Sequence, residues 1–223
     1  MILLEFLLNL LYPPKCVLCA TLLDKNETDL CRQCRTDIEE CSLKDWKIPF
    51  VRRAIALWQY EGNVRGSILR FKFSGMRNYG AVYGRLLAMR ITREYPENFD
   101  LLTWVPISSR WKMNRGYDQM EVVAASVGKE LGISPKRLLK KVIHNPPQST
   151  MQGYAQRKGN VLGVYRAVST ELIQGKRILL LDDILTTGAT VSECARVLQE
   201  AGAKEVYCAA IAAAHHTQQK TER

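Results

Sequence analysis

A chain of 223 residues is long enough for one sizeable domain and a small additional module. A composition of 47% hydrophobic and 24% charged residues is typical of a soluble globular protein. The formal net charge of +10 indicates an anionic partner, either the phosphates of a small ligand, a nucleic acid or both, and the alternative is a basic surface that only aids solubility.

The first predicted element is a short helix in the N-terminal sequence MILLEFLLNLLYPP. Its apolar residues recur at helical spacing until two prolines end the pattern: Ile2, Leu3, Phe6, Leu7 and Leu10, then Pro13 and Pro14. This run is too short to span a bilayer, which takes about 20 residues, and no basic residue precedes it as in a secretory signal. We therefore expect the helix to pack on the body of a cytoplasmic protein that has no membrane span.

Two C-x-x-C pairs follow, and they are typical of a structural zinc site. Cys16 and Cys19 form the first pair, and Cys31 and Cys34 form the second after a spacer of eleven residues. Four thiolates satisfy the tetrahedral coordination of zinc and leave no open position for catalysis. A redox pair is the alternative, but two copies of the motif favour metal, and disulfides are not expected in the cytoplasm.

Strands and helices alternate along the rest of the chain. The predicted strands cover residues 54–60, 101–105, 178–181 and 204–212. Helical patterns cover 62–75, 79–94, 115–131, where the sequence RGYDQ opens the helix, and the segment from 191, whereas 138–165 is irregular. This alternation predicts an α/β fold with a doubly wound, mostly parallel sheet, in which ligands bind at the carboxyl ends of the strands.

The stretch RILLLDDILTTGAT (177–190) carries the strongest functional signal. An apolar run, 178–181, is typical of a strand buried on both faces, and it ends at Asp182 and Asp183. Small residues at 186–190 then lead into a helix, whose free amides and dipole favour a phosphate. Carboxylates beside that loop suit hydroxyls or a metal-bound water. The pattern predicts a ligand that carries a phosphate and a nearby diol, such as ribose 5-phosphate, and the alternative is an ordinary strand–turn–helix with a polar cap.

The same stretch resembles the phosphoribosyl-pyrophosphate (PRPP) motif of type I phosphoribosyltransferases. The resemblance implies that Asp182 and Asp183 contact the ribose 2′- and 3′-hydroxyls. It also implies that the 5′-phosphate is bound by the following loop: Thr186, Thr187, Gly188, Ala189 and Thr190. The chain contains neither G-x-x-x-x-G-K-[ST] nor G-x-G-x-x-G, so it is neither a Walker-type nor a dinucleotide-binding loop.

Over nearly its full length the chain resembles the ComF family of competence-associated phosphoribosyltransferase-like proteins. The resemblance rests on the paired C-x-x-C, ILRFKFSG, VPISSR, RGYDQ, the spacing of Gln148, Arg157 and Asn160, and LLLDDILTTGAT. It implies a phosphoribosyltransferase-type sheet preceded by a double zinc-ribbon-like module. The domains expected are a helix and zinc module at 1–45, a phosphoribosyltransferase-like domain at 46–215 and a disordered tail at 216–223.

The family resemblance also implies roles for two polar segments. The loop 106–110, with Ser108 and Arg110, would face the pyrophosphate, and Arg115 with Gly116 would belong to a mobile segment over the ligand. Solvated surface charge is the alternative for both arginines. Asp118 departs from the family, which usually has Asn there, and an additional acid is expected to weaken contact with an anion.

Two functions remain open at this stage. In one, the protein binds PRPP and acts in competence, in the uptake of single-stranded DNA beside a helicase-like partner. In the other, it is an active phosphoribosyltransferase, in which Mg²⁺ accompanies PRPP and a nitrogen nucleophile attacks the anomeric carbon while Arg110 and Arg115 stabilise the leaving charge. We expect basic and aromatic residues to serve direct DNA contact: Arg70, Lys72, Phe73, Arg77, Trp111, Lys112, Lys140 and Lys141. In the helix over 62–75 we expect the core to receive Ile68, Leu69 and Phe71, and solvent to receive Arg65, Arg70 and Lys72.

Overall fold

The computed structural model describes residues 13–41, 43, 46–108, 112–113, 116–143 and 162–214. Its strands are β1 (Arg53–Gln59), β2 (Leu101–Trp104), β3 (Leu139–Lys141), β4 (Tyr165–Ala167), β5 (Arg177–Leu185) and β6 (Glu205–Ala213). Four of them form a parallel sheet in the order β1-β6-β5-β2. The other two, β3 and β4, form a separate antiparallel pair.

Helices precede and connect these strands. They are α1 (Arg32–Asp37), α2 (Gly62–Phe73), α3 (Tyr79–Glu94), α4 (Gln119–Leu131) and α5 (Ala189–Glu200), with the 3₁₀ helix at Thr170–Leu172. The prediction of a mostly parallel α/β sheet is therefore confirmed. The interpretation of 138–165 as irregular is wrong at both ends, because β3 and β4 lie there. Each has only three residues, too few for a sequence pattern to reveal.

Strand β5 lies at the centre of the sheet because its apolar run must be covered on both faces. Leu179, Leu180 and Leu181 are fully buried between β2 and β6. The strand does not end at the two acids, as the sequence suggested, but continues to Leu185. Its last residues pair with the end of β6, where Ala212 and Ala213 prolong the ladder. The acids are thus held by strand geometry on both sides.

Helices cover the sheet on both faces, and the connections change face at β5. The core on one face includes residues of α2, α3 and α4, and the core on the other includes residues of α5 and of the β3–β4 pair. The helix that follows β2, α4, lies on the first face, and the helix that follows β5, α5, lies on the second, while the β3–β4 pair comes between α4 and β5 in the chain. A change of this kind opens a crevice at the carboxyl ends of the two strands, where α/β proteins bind ligands.

The cysteine module packs onto α2 and shares the core of the first face. Val17 and Leu18 are buried there, and their carbonyl oxygens accept hydrogen bonds from the Ser67 hydroxyl and the Arg70 guanidinium. Arg70, which also lies over the Tyr79 ring, therefore faces the module, and its predicted solvent position is wrong. Ile68 and Phe71 are buried as predicted, whereas Leu69 is only half-buried.

The predicted N-terminal helix and the tail from residue 216 lie outside the described residues. Within the described residues, the structure has no helix with the length and apolarity that a membrane crossing requires.

Candidate functional site

The crevice between the carboxyl ends of β2 and β5 gathers the polar segments that the sequence singled out. The Val105 amide donates to the Leu181 carbonyl over 2.9 Å, which places the loop after β2 directly beside the acids of β5. Beyond Leu185, residues 186–188 turn into α5. The crevice is thus bordered by the loop after β2, the acids of β5 and the first turn of α5.

The two carboxylates differ in environment. Asp182 is buried, and the Asp183 amide donates to its Oδ1 over 2.8 Å. Burial, followed by the negative charge of Asp183, raises the pKa of Asp182 to about 8. Side chains alternate between the two faces along a strand, and Leu180 belongs to the core that includes α5, so Asp182 lies on the α5 side of the sheet. Burial, followed by the charge of Asp182, raises the pKa of the Cys194 thiol in α5. The site therefore has one carboxyl group that takes up a proton readily.

Asp183 points to the other side of the sheet, where it pairs with a lysine. The Lys72 ammonium lies 2.7 Å from Asp183 Oδ2, and the two side chains are 20% and 26% exposed. The prediction that Lys72 faces solvent is wrong. The sequence could not reveal this contact, because the two residues are far apart in the chain and meet only when α2 packs on β5. One weak signal existed: Lys72 immediately follows the core residue Phe71 near the end of its helix.

The first turn of α5 begins at a glycine that leaves the helix without a side-chain cap from its N-cap residue. Gly188 is the N-cap in a left-handed conformation (φ 73°) and supplies no side-chain cap. A Cβ at this position would lie 3.0 Å from Ile48, so the close approach as well as the backbone angle favours glycine. The Thr187 hydroxyl accepts from the Ala189 amide over 3.3 Å, and Thr186 and Thr190 are half-buried beside it. The residues predicted to bind phosphate therefore lie together around one helix N-terminus.

The cysteine cluster forms a second site with different chemistry. The four sulfur atoms all lie within 4.8 Å of one another, and Cys19 Sγ is 3.6 Å from Cys31 Sγ: the set is Cys16, Cys19, Cys31 and Cys34. Tetrahedral Zn–S bonds of 2.3 Å require sulfur separations of about 3.8 Å. The donor set and its spacing therefore fit a structural zinc ion, and no open coordination position remains.

The thiols of the cluster differ in pKa. Burial opposes ionisation of Cys19, but hydrogen bonds with Thr21 outweigh it and lower the pKa of Cys19 to about 6. Burial and the neighbouring cysteines raise the pKa of Cys34. A bound divalent cation favours the thiolate form of all four groups, so metal binding is expected to release protons.

Comparison with known proteins gives the two domains and their relatives. A family described as "Phosphoribosyl transferase domain" matches residues 121–223, and one described as "Double zinc ribbon domain" matches residues 7–44. Competence protein ComFC of Streptococcus pneumoniae is 29% identical over 152 residues, 68% of this chain and 64% of the relative. Competence protein ComFC of Bacillus subtilis is 26% identical over 176 residues, 78% of this chain and 67% of the relative. DNA utilization protein YhgH of Salmonella typhimurium is 26% identical over 205 residues, 86% of this chain and 88% of the relative.

The chain is a ComFC-like protein. Its phosphoribosyltransferase domain and its zinc ribbon, both expected from the sequence, are confirmed, and the four clustered cysteines lie within the matched ribbon. The alignment spans about two thirds of the length of the two ComFC relatives and most of YhgH. Of the two strands that border the crevice, β2 precedes the residues matched by the phosphoribosyltransferase model and β5 lies within them.

Ser108 in this ComFC-like chain has an unusual environment. Its hydroxyl is buried, yet it has no hydrogen-bond partner among the described residues. Buried hydroxyl groups are nearly always paired in native proteins, and an unpaired one next to a crevice suits a ligand. The Ser108 carbonyl accepts from the Lys112 amide over 3.0 Å, so the backbone at this position is fixed.

Asp118, the departure from the family pattern, caps α4 instead of standing free in the crevice. It is buried, and its carboxylate accepts hydrogen bonds from Trp104 Nε1 (3.2 Å), the Ile107 amide (3.4 Å) and the Met120 amide (3.1 Å). Burial raises its pKa. Because its oxygens are engaged by these donors, the expected weakening of anion contact does not follow from its presence.

The remaining site predictions stay predictions. Arg110 and Arg115, expected to contact pyrophosphate, lie outside the described residues, as does Trp111. Asp182, Asp183, Ser108 and the loop 186–190 are brought to one edge of the sheet, and no ligand tests their contacts.

Proposed function

We propose that this ComFC-like protein binds PRPP together with Mg²⁺ in the crevice and acts in the uptake of single-stranded DNA during natural transformation. The observation that supports it most is the juxtaposition, at one sheet edge, of two acids, a hydroxyl without a partner among the described residues and a helix whose N-cap residue supplies no side-chain cap. Phosphate suits the first turn of α5, and a ribose diol suits the carboxylates. The names of the relatives, competence and DNA utilization proteins, support the biological role.

The described residues would divide the ligand between them. The amides of the first turn of α5 and the hydroxyls of 186–190 would bind the 5′-phosphate. Asp183, the more exposed acid, would accept from one ribose hydroxyl, and Asp182 from the other. Ser108 would donate to the pyrophosphate from the loop after β2, with Arg110 and Arg115 as further contacts.

Carboxylate oxygens at this edge also suit Mg²⁺, which prefers oxygen ligands and keeps several waters. When bound with PRPP, the ion would neutralise part of the pyrophosphate charge. Binding of the ion through Asp183 Oδ2 would require the Lys72 ammonium, now 2.7 Å from that oxygen, to move.

Active phosphoribosyl transfer is the second candidate, and the same geometry supports it. A nitrogen nucleophile would form a bond to the anomeric carbon as the bond to pyrophosphate breaks, and the electron pair would leave with pyrophosphate. The transition state has oxocarbenium character, so positioning and stabilisation of the leaving charge would supply the rate enhancement. PRPP-dependent release of pyrophosphate, assayed with a range of nucleobases and amines, separates this candidate from binding without turnover.

Ligand-induced stabilisation tests the binding proposal. At a hundred times its dissociation constant, PRPP with Mg²⁺ should raise the free energy of unfolding by about 2.7 kcal/mol. Asp183→Asn should lose most of that gain. Asp100→Asn is the matched control, because Asp100 accepts from the Arg177 amide (2.7 Å) at the opposite end of β5, and an asparagine can still accept there. Equal stabilisation of wild type and Asp183→Asn would contradict the proposal.

Several of the residues proposed for DNA contact already have partners within the chain. Lys112 forms an ion pair with Glu121 (2.9 Å), and Lys141 is half-buried with its ammonium 5.9 Å from the centre of the Tyr165 ring. Lys141, Arg70 and Lys72 are thus engaged inside the fold, whereas the ion pair of Lys112 lies on the surface with its side chain 40% exposed. Exposed candidates among the described residues are Phe73, Arg77 and Lys140.

A further inference from the structure

The ion pair between Lys72 and Asp183 connects α2 to the crevice. Lys72 lies in the last turn of α2, where the helix dipole favours a cation. Its carbonyl oxygen accepts from Gln119 Nε2 over 3.3 Å, and the phenol of Tyr117 lies 3.5 Å from the carbonyl oxygen of Phe71. The end of α2 is therefore tied to the start of α4, so the lysine reaches the acid from a fixed backbone.

Stabilisation of the fold by an ion pair does not by itself account for the position of Lys72. Exposed ion pairs contribute little to stability, and the described residues contain several that span surface elements, such as Arg53 with Glu94 (3.0 Å). The Lys72 pair differs because it lies in the crevice, with both side chains mostly covered and the second acid, Asp182, next in the chain. Without Lys72, an anionic ligand entering here would meet two carboxyl groups and no cation from α2.

Ribose chemistry fixes what lies next to this ammonium. A hydroxyl group that hydrogen-bonds to Asp183 would be within about 3 Å of its carboxylate. The carbon that bears the 2′-hydroxyl is bonded to C1, which carries pyrophosphate in PRPP and only a hydroxyl in ribose 5-phosphate. A lysine ammonium already in contact with Asp183 can reach the C1 substituent through its rotatable side chain.

We propose that Lys72 is a specificity-determining residue that recognises the pyrophosphate on C1 and so makes the site prefer PRPP to ribose 5-phosphate. In the free protein Asp183 holds the ammonium in place, and in the complex the ammonium moves to the pyrophosphate oxygens while Asp183 turns to the ribose. The inference rests on the proposed PRPP site. It adds a residue from α2, outside both the acid pair and the phosphate loop.

The test compares two ligands on four proteins. Dissociation constants for PRPP and for ribose 5-phosphate, each with Mg²⁺, are measured by calorimetry for wild type, Lys72→Met, Lys72→Arg and Lys129→Met. Lys72→Met keeps the length of the side chain and removes its charge. Lys129 is the matched control, because it is an exposed lysine in the last turn of α4 and lies far along that helix from its capping residue Asp118.

Loss of a charge-assisted contact should weaken PRPP binding to Lys72→Met by roughly 10- to 100-fold. Ribose 5-phosphate, which lacks the pyrophosphate, should bind within about threefold of wild type, and Lys72→Arg should recover part of the PRPP affinity. Lys129→Met should match wild type for both ligands.

The other outcomes separate the two proposals. If Lys72→Met weakens both ligands equally, or weakens neither, the specificity role of Lys72 is wrong while the PRPP site stands. If wild type binds neither ligand, the proposed function is wrong, and the inference about Lys72 goes with it.

Discussion

The zinc ribbon and the crevice are built from chain in opposite ways. The four cysteines come from 19 consecutive positions, 16–34, and two short knuckles bring their sulfurs together. The crevice draws on α2, the loop after β2, the start of α4, and β5 with the first turn of α5, and it exists only when the sheet and its helices have assembled. One site is a property of a segment, and the other is a property of the fold.

This difference has energetic consequences. Metal coordination contributes folding free energy directly, so the ribbon can stabilise the helix on which it packs. The crevice instead contains a buried carboxyl group with a raised pKa and a buried hydroxyl without a partner, and both oppose stability in the absence of a ligand. The ribbon supports the fold, whereas the crevice retains polar groups that favour ligand binding.

The largest effect is expected from the ribbon. Cys31→Ser should lose the zinc ion and several kcal/mol of stability, because structural zinc sites have apparent binding free energies of about 10–16 kcal/mol. Since Val17 and Leu18 share the core of α2, the loss should spread to the sheet domain. Metal analysis and chemical unfolding measure both effects.

Cys41→Ser provides the control for this experiment. Cys41 is buried and follows the ribbon in the chain but is not one of the four clustered sulfurs, and Gln59 Nε2 donates to it over 3.2 Å. It should keep its zinc. Retention of a full equivalent of zinc by Cys31→Ser would show that the four clustered cysteines are not together the zinc ligands.

The same contrast decides what the sequence could predict. Cysteine spacing alone specified the ribbon, and the apolar run 178–181 with the loop after it specified β5, the acids and the start of α5. Lys72 was placed in solvent because helical periodicity gives the face of a residue but not the element that packs there. Asp118 was expected to oppose an anion because a family pattern does not reveal that its carboxylate caps α4. Ile48 under Gly188 and the Ser108 hydroxyl are likewise consequences of packing between distant segments.

The second prediction concerns the pH dependence of the crevice. Because the pKa of Asp182 is raised in the folded state to about 8, the folded protein holds a proton that the unfolded chain releases near pH 4. Stability should therefore fall as pH rises from about 4 to 8. Asp182→Asn should remove this contribution and stabilise the ligand-free protein at pH 8.5 by about 1–3 kcal/mol, since one pKa unit corresponds to about 1.4 kcal/mol.

Urea unfolding of both proteins at pH 5 and 8.5 checks this result. The difference between variant and wild type isolates Asp182, because the cysteines titrate in both. A difference that is the same at the two pH values would show that Asp182 is not held protonated, and the two sites would then be more alike than proposed.

A smaller effect is expected from Gly188→Ala. Its left-handed backbone costs an alanine about 1–2 kcal/mol, and contact with Ile48 should add to that cost and disturb the first turn of α5. Gly132→Ala is the control, because Gly132 has a similar angle (φ 69°) with nothing within 4 Å of the added Cβ. Thermal unfolding should give Gly188→Ala a lower melting temperature than Gly132→Ala. Equal losses of stability would mean that Ile48 moves to accommodate the added methyl group.

The smallest effect concerns DNA, and two adjacent lysines make it sharp. Lys140 and Lys141 carry the same charge on one short strand, but Lys140 is exposed and Lys141 is half-buried against Tyr165, where burial lowers the pKa of its ammonium. If single-stranded DNA contacts this surface, each phosphate contact contributes about −0.7 to the slope of log affinity against log salt. Lys140→Ala should reduce that slope by about 0.7, and Lys141→Ala should leave it unchanged.

Fluorescence anisotropy with a labelled oligonucleotide at several salt concentrations measures both slopes. Equal reductions would mean that overall charge, and not a defined contact, attracts the DNA. No binding by the wild type at about 50 mM salt would remove direct DNA contact from the proposed function and leave a protein partner as the reason for the basic surface.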